Sequence, residues 1–463
     1  MFAKLKNLFG DKAFNKLLIA IAVPIVIQNG VTNLVNLLDN IMIGQVGTEE
    51  MSSVAIVNQL FFVFNICIFG GISGAGIFTA QFFGRGDTDN MRSTVRYKIW
   101  ISLIVTVLFI GAFLLFGEKL ISLYITEDGK TDPIKTMALA KDYLKVAVIQ
   151  MPFFAISQIY AGTLRESGET KVPMIASVCA LLVNLVGNYI LIFGHLGAPA
   201  LGVVGAAVAT ACSRVVEAAV VIVYTHVKQD RHQAFKGLYR SLRVPKGLLK
   251  NILKKGLPIL ANEAFWSAGV ALLAQSYSLR GLDVVAAYNI NATITNLFSV
   301  VLLAMGSSVS IILGNYLGSG RNEEAIKIQG KLSAISVIAS TLLAIVLALT
   351  SGLFPLMYNT TDEVRRIAST FMVIYAVFMP LNAYVCSAYF TLRAGGKTII
   401  TMLFDSGYQC LICLPVSFLF VLLTDMSASM VYAIVQALLI FKTIGGAVLI
   451  KKRIWIHNLT ELK

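Results

Sequence analysis

Residues 17–47 read LLIAIAVPIVIQNGVTNLVNLLDNIMIGQVG. The run is long enough to cross a bilayer, yet it contains Pro24, several amides and one carboxylate, Asp39. A charge at bilayer depth costs about 2.5 to 3.5 kcal/mol on insertion scales, so Asp39 is expected to face a wet cavity or a partner. Gln28, Thr32, Asn36 and Asp39 follow one another at steps of four, four and three, which places them on one stripe of a helix, with Asn29 and Asn33 beside it. Polar side chains that only bond neighbouring helices are the plainer reading of such a stripe. The carboxylate favours a functional one.

The rest of the chain agrees with a membrane setting. Apolar residues make up 57% of its 463 residues and charged residues 13%, far from a soluble globular composition. Twelve spans are expected, at 17–43, 53–82, 97–117, 137–161, 172–194, 201–226, 252–278, 284–316, 332–354, 366–390, 398–423 and 428–450. The basic N-terminus lacks a short apolar core with a cleavage site, so it reads as an interfacial lead-in helix and not a signal peptide. All six cysteines lie in apolar runs, and the pair Cys410 and Cys413 is best explained by packing. No disulfide, metal cluster or cofactor is expected.

The net charge of +14 is distributed by loop. Lysines and arginines crowd the N-terminal tail, the 83–98 turn, the 227–255 connection and the C-terminal tail, whereas the loops at 44–52, 195–200 and 424–427 hold none. This alternation points to a multi-pass protein of the plasma (inner) membrane with both termini and the long connection cytoplasmic, and to no nucleic-acid partner.

An internal repeat organises the spans. A shift of 234 positions aligns Pro24 with Pro258, Gly47 with Gly281, Gly84 with Gly318 and Gly86 with Gly320. Farther on, a shift of 228 aligns Met151-Pro152 with Met379-Pro380 and Thr163-Leu164-Arg165 with Thr391-Leu392-Arg393, and a longer loop near Gly129 in the first half accounts for the change. Two six-helix halves follow, related by a pseudo-twofold along the membrane normal. The expected organisation is a lead-in at 1–16, an N-terminal half at 17–226, a basic linker at 227–251, a C-terminal half at 252–450 and a tail at 451–463.

The repeat also sorts the charges within the spans. Arg214 aligns with Lys442, and Glu217 stands three residues beyond Arg214 as an intrahelical partner, so that pair reads as scaffold. Asp39, Glu263 and Asp405 align with Leu273, Asn29 and Ser177, so these acids mark something only one half does. Asp39 and Asn188 lie about 7 to 9 Å from the outer ends of their spans. With Asn184 one turn from Asn188, the three side chains are expected to meet, as cation-coupling residues. Glu263, five residues past Pro258, is a candidate for secondary coupling or substrate binding, together with Gln28, Asn33, Asn36, Trp266, Phe153, Phe154, Tyr375 and Met379.

These pieces resemble the multidrug and toxic compound extrusion (MATE) family over nearly the whole chain. The resemblance rests on the spacing of Pro24 and Asp39, on Ile43-Gly44 and Gly47, on Gln81-Phe82-Phe83-Gly84 to Asp87, on Leu164-Arg165 to Gly168-Glu169-Thr170-Lys171-Val172-Pro173, and on its mate Leu392-Arg393 to Gly396-Lys397-Thr398. It implies an all-α polytopic protein of two six-helix bundles around a V-shaped central cavity. It also implies export of organic cations against an inward gradient of H+ or Na+. Asp39 matches the family's first-span acid, and Asn184 and Asn188 stand where polar partners are expected on the fifth span. The tenth-span aspartate of the NorM branch has no match between Arg366 and Phe390, so the chain is similar to the DinF-like branch or one beside it.

The expected function is therefore a secondary active antiporter, a monomer among membrane lipids. It would export cationic amphipathic compounds in exchange for H+, with Na+ at Asp39, Asn184 and Asn188 as the alternative ion. A lipid-linked precursor flippase is the rival, but it wants several cavity arginines, and Arg214 is the only arginine well inside a span. No cluster of nucleophile, base and orienting group supports an enzyme.

Overall fold

The structure is a computed structural model, and it describes residues 12–125 and 132–461. The expected lead-in up to residue 11 and most of the loop around Gly129 lie outside the described residues. Among the described residues the regular structure is helical, in twelve segments that follow the expected spans. These are α1 (Lys12–Gly44), α2 (Thr48–Arg85), α3 (Thr88–Ser122), α4 (Pro133–Ala147 with Gln150–Glu166), α5 (Lys171–Phe193) and α6 (Gly202–Val227). After the linker come α7 (Lys246–Ser278), α8 (Leu282–Gly318), α9 (Asn322–Thr350), α10 (Asp362–Ala394), α11 (Thr398–Leu423) and α12 (Ala428–Lys451). Eleven are long and apolar enough to cross a bilayer singly, and α4 qualifies as a pair of segments bent by 48°. Leucines such as Leu108, Leu115, Leu349 and Leu422 stand largely exposed on these helices, as side chains facing lipid do.

Local chemistry sets the helix ends. The Asp87 and Asp132 carboxylates accept from backbone N–H groups at the starts of α3 and α4, and Pro133 supplies the fixed φ of a first turn. Thr361 and Ser427 do the same for α10 and α12. Pro152 lies just past the bend of α4, where its ring removes a donor and crowds the carbonyl of Val148. Its repeat mate Pro380 lies inside an unbroken α10.

Contacts divide the chain into two compact units. The N-unit comprises Ile27–Thr79 and Asp87–Lys250. The C-unit comprises Met1–Val26, Ala80–Gly86 and Asn251–Lys463. The sequence reading divides the chain at the linker alone, whereas here the first part of α1 and the end of α2 from Ala80 group with α7 to α12. Packing supplies the reason. Phe14, Leu18, Ile21 and Ile25 of α1 share a buried cluster with Met305 and Ile312 of α8 and Ile328 of α9. The ends of α2 and α8 meet through two small-xxx-small pairs that are repeat mates, Ala80 with Gly84 and Gly314 with Gly318.

The last described residues extend this cluster. Of the tail in the sequence reading, residues 451–461 pack within the C-unit, with Trp455 almost fully buried. The Gln81 amide donates to the carbonyls of Ala394 and His457 at 2.9 and 3.2 Å and accepts from the N–H of Leu459 at 2.6 Å. Arg85 donates to the Thr460 carbonyl at 2.9 Å. In the N-unit the main core is phenylalanine-rich, with Phe61, Phe64, Phe113 and Phe154 among its residues.

Candidate functional site

The polar stripe of α1 borders a cavity of about 340 Å³ inside the N-unit. Thr32, Asn36 and Asp39 line it, as do Asn58 and Asn65 of α2. Phe61, Phe64 and Phe154 form its apolar wall. Asp39 accepts a hydrogen bond from Asn188 Nδ2 at 2.5 Å. The same nitrogen lies 3.2 Å from Asn184 Oδ1, and Asn184 Nδ2 donates to the Thr210 hydroxyl at 3.3 Å. Asn184 and Asn188 are almost wholly buried, and Asn188 Oδ1 is a buried acceptor with no partner. The level matching read from the sequence thus corresponds to direct contact, because Asp39 and Asn188 each stand five residues before the end of their helix.

The other candidates separate. Gln28, 6% exposed, turns to Ser177 and Arg165 at the far end of the stripe. Asn36 and Phe154 line the cavity, whereas Asn33 and Phe153 are absent from its wall. Glu263, Trp266, Tyr375 and Met379 belong to the C-unit. There Glu263 stands 3.9 Å from Arg393, Trp266 is 45% exposed, and Tyr375 shares a hydrogen bond with Ser299 at 3.0 Å. Met379 is fully buried in core packing between α8 and α10.

The sequence reading takes Arg214 and Glu217 of α6 as scaffold and does not single out Thr210. Thr210, Arg214 and Glu217 follow at steps of four and three, the signal that reveals the stripe of α1, and all three border the cavity. Arg214 pairs with Glu217 at 2.8 Å, and its guanidinium lies 5.4 Å from the centre of the Phe154 ring. The C-unit places Lys442, the mate of Arg214, 2.9 Å from Asp405. Asn262, the mate of Gln28, donates to the same carboxylate at 3.2 Å. Asp405 lies in a stretch where α11 widens into π-helical turns, Leu403–Gly407 and Gln409–Cys413. The Tyr408 hydroxyl donates to the Leu438 carbonyl at 2.7 Å, where α12 breaks.

All six cysteines are free. Among the described residues there is no cluster of three or more His, Cys, Asp or Glu with metal-binding geometry.

The model of the MatE family matches residues 24–190 and 259–419, one segment in each repeat half. The chain belongs to the MatE family. It is 26% identical over 407 residues to a probable multidrug resistance protein NorM of Thermotoga maritima, with 88% of this chain and 85% of the relative aligned. It is also 26% identical over 367 residues to the multidrug resistance protein MdtK of Yersinia pestis, covering 79% of each. A crystallised variant of the Vibrio cholerae MATE transporter VcmN superposes on 96% of this MatE chain and 98% of its own, with a TM-score of 0.85 at 18% identity. The shared fold extends over both repeat halves.

Proposed function

We propose that the protein is a secondary active multidrug efflux antiporter that exports cationic amphipathic compounds in exchange for H+, with Asp39 as the coupling group. The observation that carries this reading is a carboxylate bonded by the Asn188 amide in a cavity walled by phenylalanines, in a family whose relatives are named for multidrug resistance. Ionised, Asp39 attracts an organic cation whose apolar body lies against Phe61, Phe64 and Phe154. Protonated, it loses that attraction. A proton and a substrate that compete for one carboxylate exchange for one another when the two charge states favour different conformations.

The Asn188 amide fits both states of Asp39. Its Nδ2 donates to the carboxylate, and a half-turn about the last side-chain bond presents Oδ1 to a carboxylic acid proton. The same unpartnered oxygen favours a second reading, Na+ in place of H+, because a hard cation collects several oxygens and Asp39, Asn184, Asn188 and Thr210 each carry one near the site. The flippase has less support, since Arg214 is the one arginine in the cavity wall and is already paired with Glu217.

In this reading the protein works as a monomer in the plasma membrane, and the basic loops support a cytoplasmic linker and termini. Uptake of a fluorescent organic cation from the medium into inverted vesicles, whose cytoplasmic face points outward, tests the function. Transport is expected to stop when the pH gradient is collapsed and to continue when the sodium gradient is. The reverse result replaces H+ with Na+, and transport that ignores both gradients overturns the antiporter.

A further inference from the structure

Asp39, Arg214 and Glu217 border one cavity, and their hydrogen bonds are unevenly shared. Both oxygens of Glu217 are engaged: Oε2 accepts from Arg214 at 2.8 Å and Oε1 from the Ser177 hydroxyl at 3.0 Å. Arg214 is less satisfied. Glu217 takes only one of its terminal nitrogens, and its Nε is buried without a partner, so part of the guanidinium fork remains for a second acceptor. From Glu217 a line of bonds leads away from Asp39. Ser177 accepts from Gln28 Nε2 at 3.2 Å, and Gln28 Oε1 accepts from Arg165 at 3.0 Å, next to the last residue of α4. Gln28 and Asp39 lie on the same helix, about 16 Å apart along its axis.

We propose that Glu217 receives the proton that Asp39 releases, with Arg214 moving its ion pair from Glu217 to Asp39 as the proton passes. The inference rests on H+ coupling at Asp39. The O–H bond of the Asp39 acid breaks and an O–H bond forms on Glu217, which becomes neutral while Asp39 becomes the carboxylate. Arg214 stays protonated and follows the negative charge. Glu217 then gives its proton to water on the side of Arg165 and the linker, and Arg214 returns. The cavity has room for water to bridge the two acids. The other ionisable groups near this path are Tyr143 in the cavity wall, Arg165 on α4 and, beside Arg165, Glu166 with its ion-pair partner Lys98.

The C-unit holds a cation and a carboxylate at the equivalent place, Lys442 with Asp405, so an ion pair there has a scaffold role to be separated from a relay. The test uses the full chain in proteoliposomes, with ethidium as the probe cation. It compares export driven by a pH jump with ethidium exchange in the absence of any gradient. Glu217→Gln is expected to lower pH-driven export roughly a hundredfold, the scale of a lost proton-transfer group, with exchange near wild type, and Glu217→Asp to restore export. The double variant Arg214→Gln/Glu217→Gln, which keeps the site neutral, is expected to remain defective in pH-driven export. Wild-type export in Glu217→Gln or in the double variant overturns the relay. So does joint loss of export and exchange in a folded Glu217→Gln. Asp39→Asn in the same assay reports on the underlying reading: normal export there removes Asp39 coupling itself, whereas a dead Asp39→Asn beside a normal Glu217→Gln removes only the relay.

Discussion

Arg214 and Lys442 stand at equivalent positions of the two repeat halves, yet their carboxylate partners come from different helices. Arg214 bonds Glu217 on its own helix, whereas Lys442 bonds Asp405 on the neighbouring α11. Each half therefore keeps one cation and one acid between its fifth and sixth helices by a different route. Removing one member of a mostly buried pair leaves a lone charge among apolar helices, at a cost of about 3 kcal/mol. Asp405→Leu and Lys442→Met are each expected to lower the thermal midpoint in detergent, and the double variant to recover most of the loss. Additive losses in that cycle would mean the two side chains do not stabilise one another.

Asn188 donates to the Asp39 carboxylate, and Asn33, beside the polar stripe by sequence, is absent from the cavity wall. Asn188→Ala is expected to reduce pH-driven export by about tenfold, the worth of one hydrogen bond to a charged group. Asn33→Ala should leave export unchanged. Equal rates for the two variants would detach Asn188 from Asp39.

A methyl group on Gly84 would overlap the carbonyl oxygen of Asn315, and one on Gly318 the carbonyl oxygen of Gln81. Backbone atoms cannot turn aside as side chains do. Gly84→Ala and Gly318→Ala are expected to cost about 1 to 3 kcal/mol each by overpacking. Gly330→Ala, with open space beside it in α9, should be neutral or stabilising. Differential scanning fluorimetry of the purified variants decides, and an unchanged midpoint for Gly84→Ala would contradict the crossing of α2 and α8.

The linker is expected to respond to pH through His232. Burial pushes the His232 ring below its ordinary range, Arg231 adds to the effect and Glu169 partly opposes it. The ring lies 5.4 Å from Tyr224, Arg231 pairs with Glu169 at 3.0 Å, and Phe235 stacks on Tyr160. A released His232 binds a proton more readily than a docked one, so docking is complete well above about pH 6.5 and weakens as the pH falls through that value. Hydrogen exchange over 228–240, referred to intrinsic rates, is expected to rise between pH 7 and pH 5 in the wild type. It should stay flat in His232→Gln, and an equal rise in both would assign the effect to another group.

Much of this protein is local in origin and was readable as such. A membrane helix declares itself by its own apolar run, so the twelve spans and the stripe from Gln28 to Asp39 follow from composition and a 3.6-residue period. Depth along a span is also local, which is why the meeting of Asp39 with Asn188 could be foreseen by counting residues from helix ends. Contacts that depend on how helices are rotated against one another have no such signal. Only packing brought Arg214 and Glu217 to the cavity of Asp39, set Asp405 against Lys442, buried Met379 in the core and folded Trp455 back onto the C-unit. The α1 helix is the plainest case. Its sequence is one uninterrupted span, yet its residues up to Val26 pack with α8 and α9 and those beyond with the N-unit, because which neighbour a helix face meets is decided by the surfaces around it.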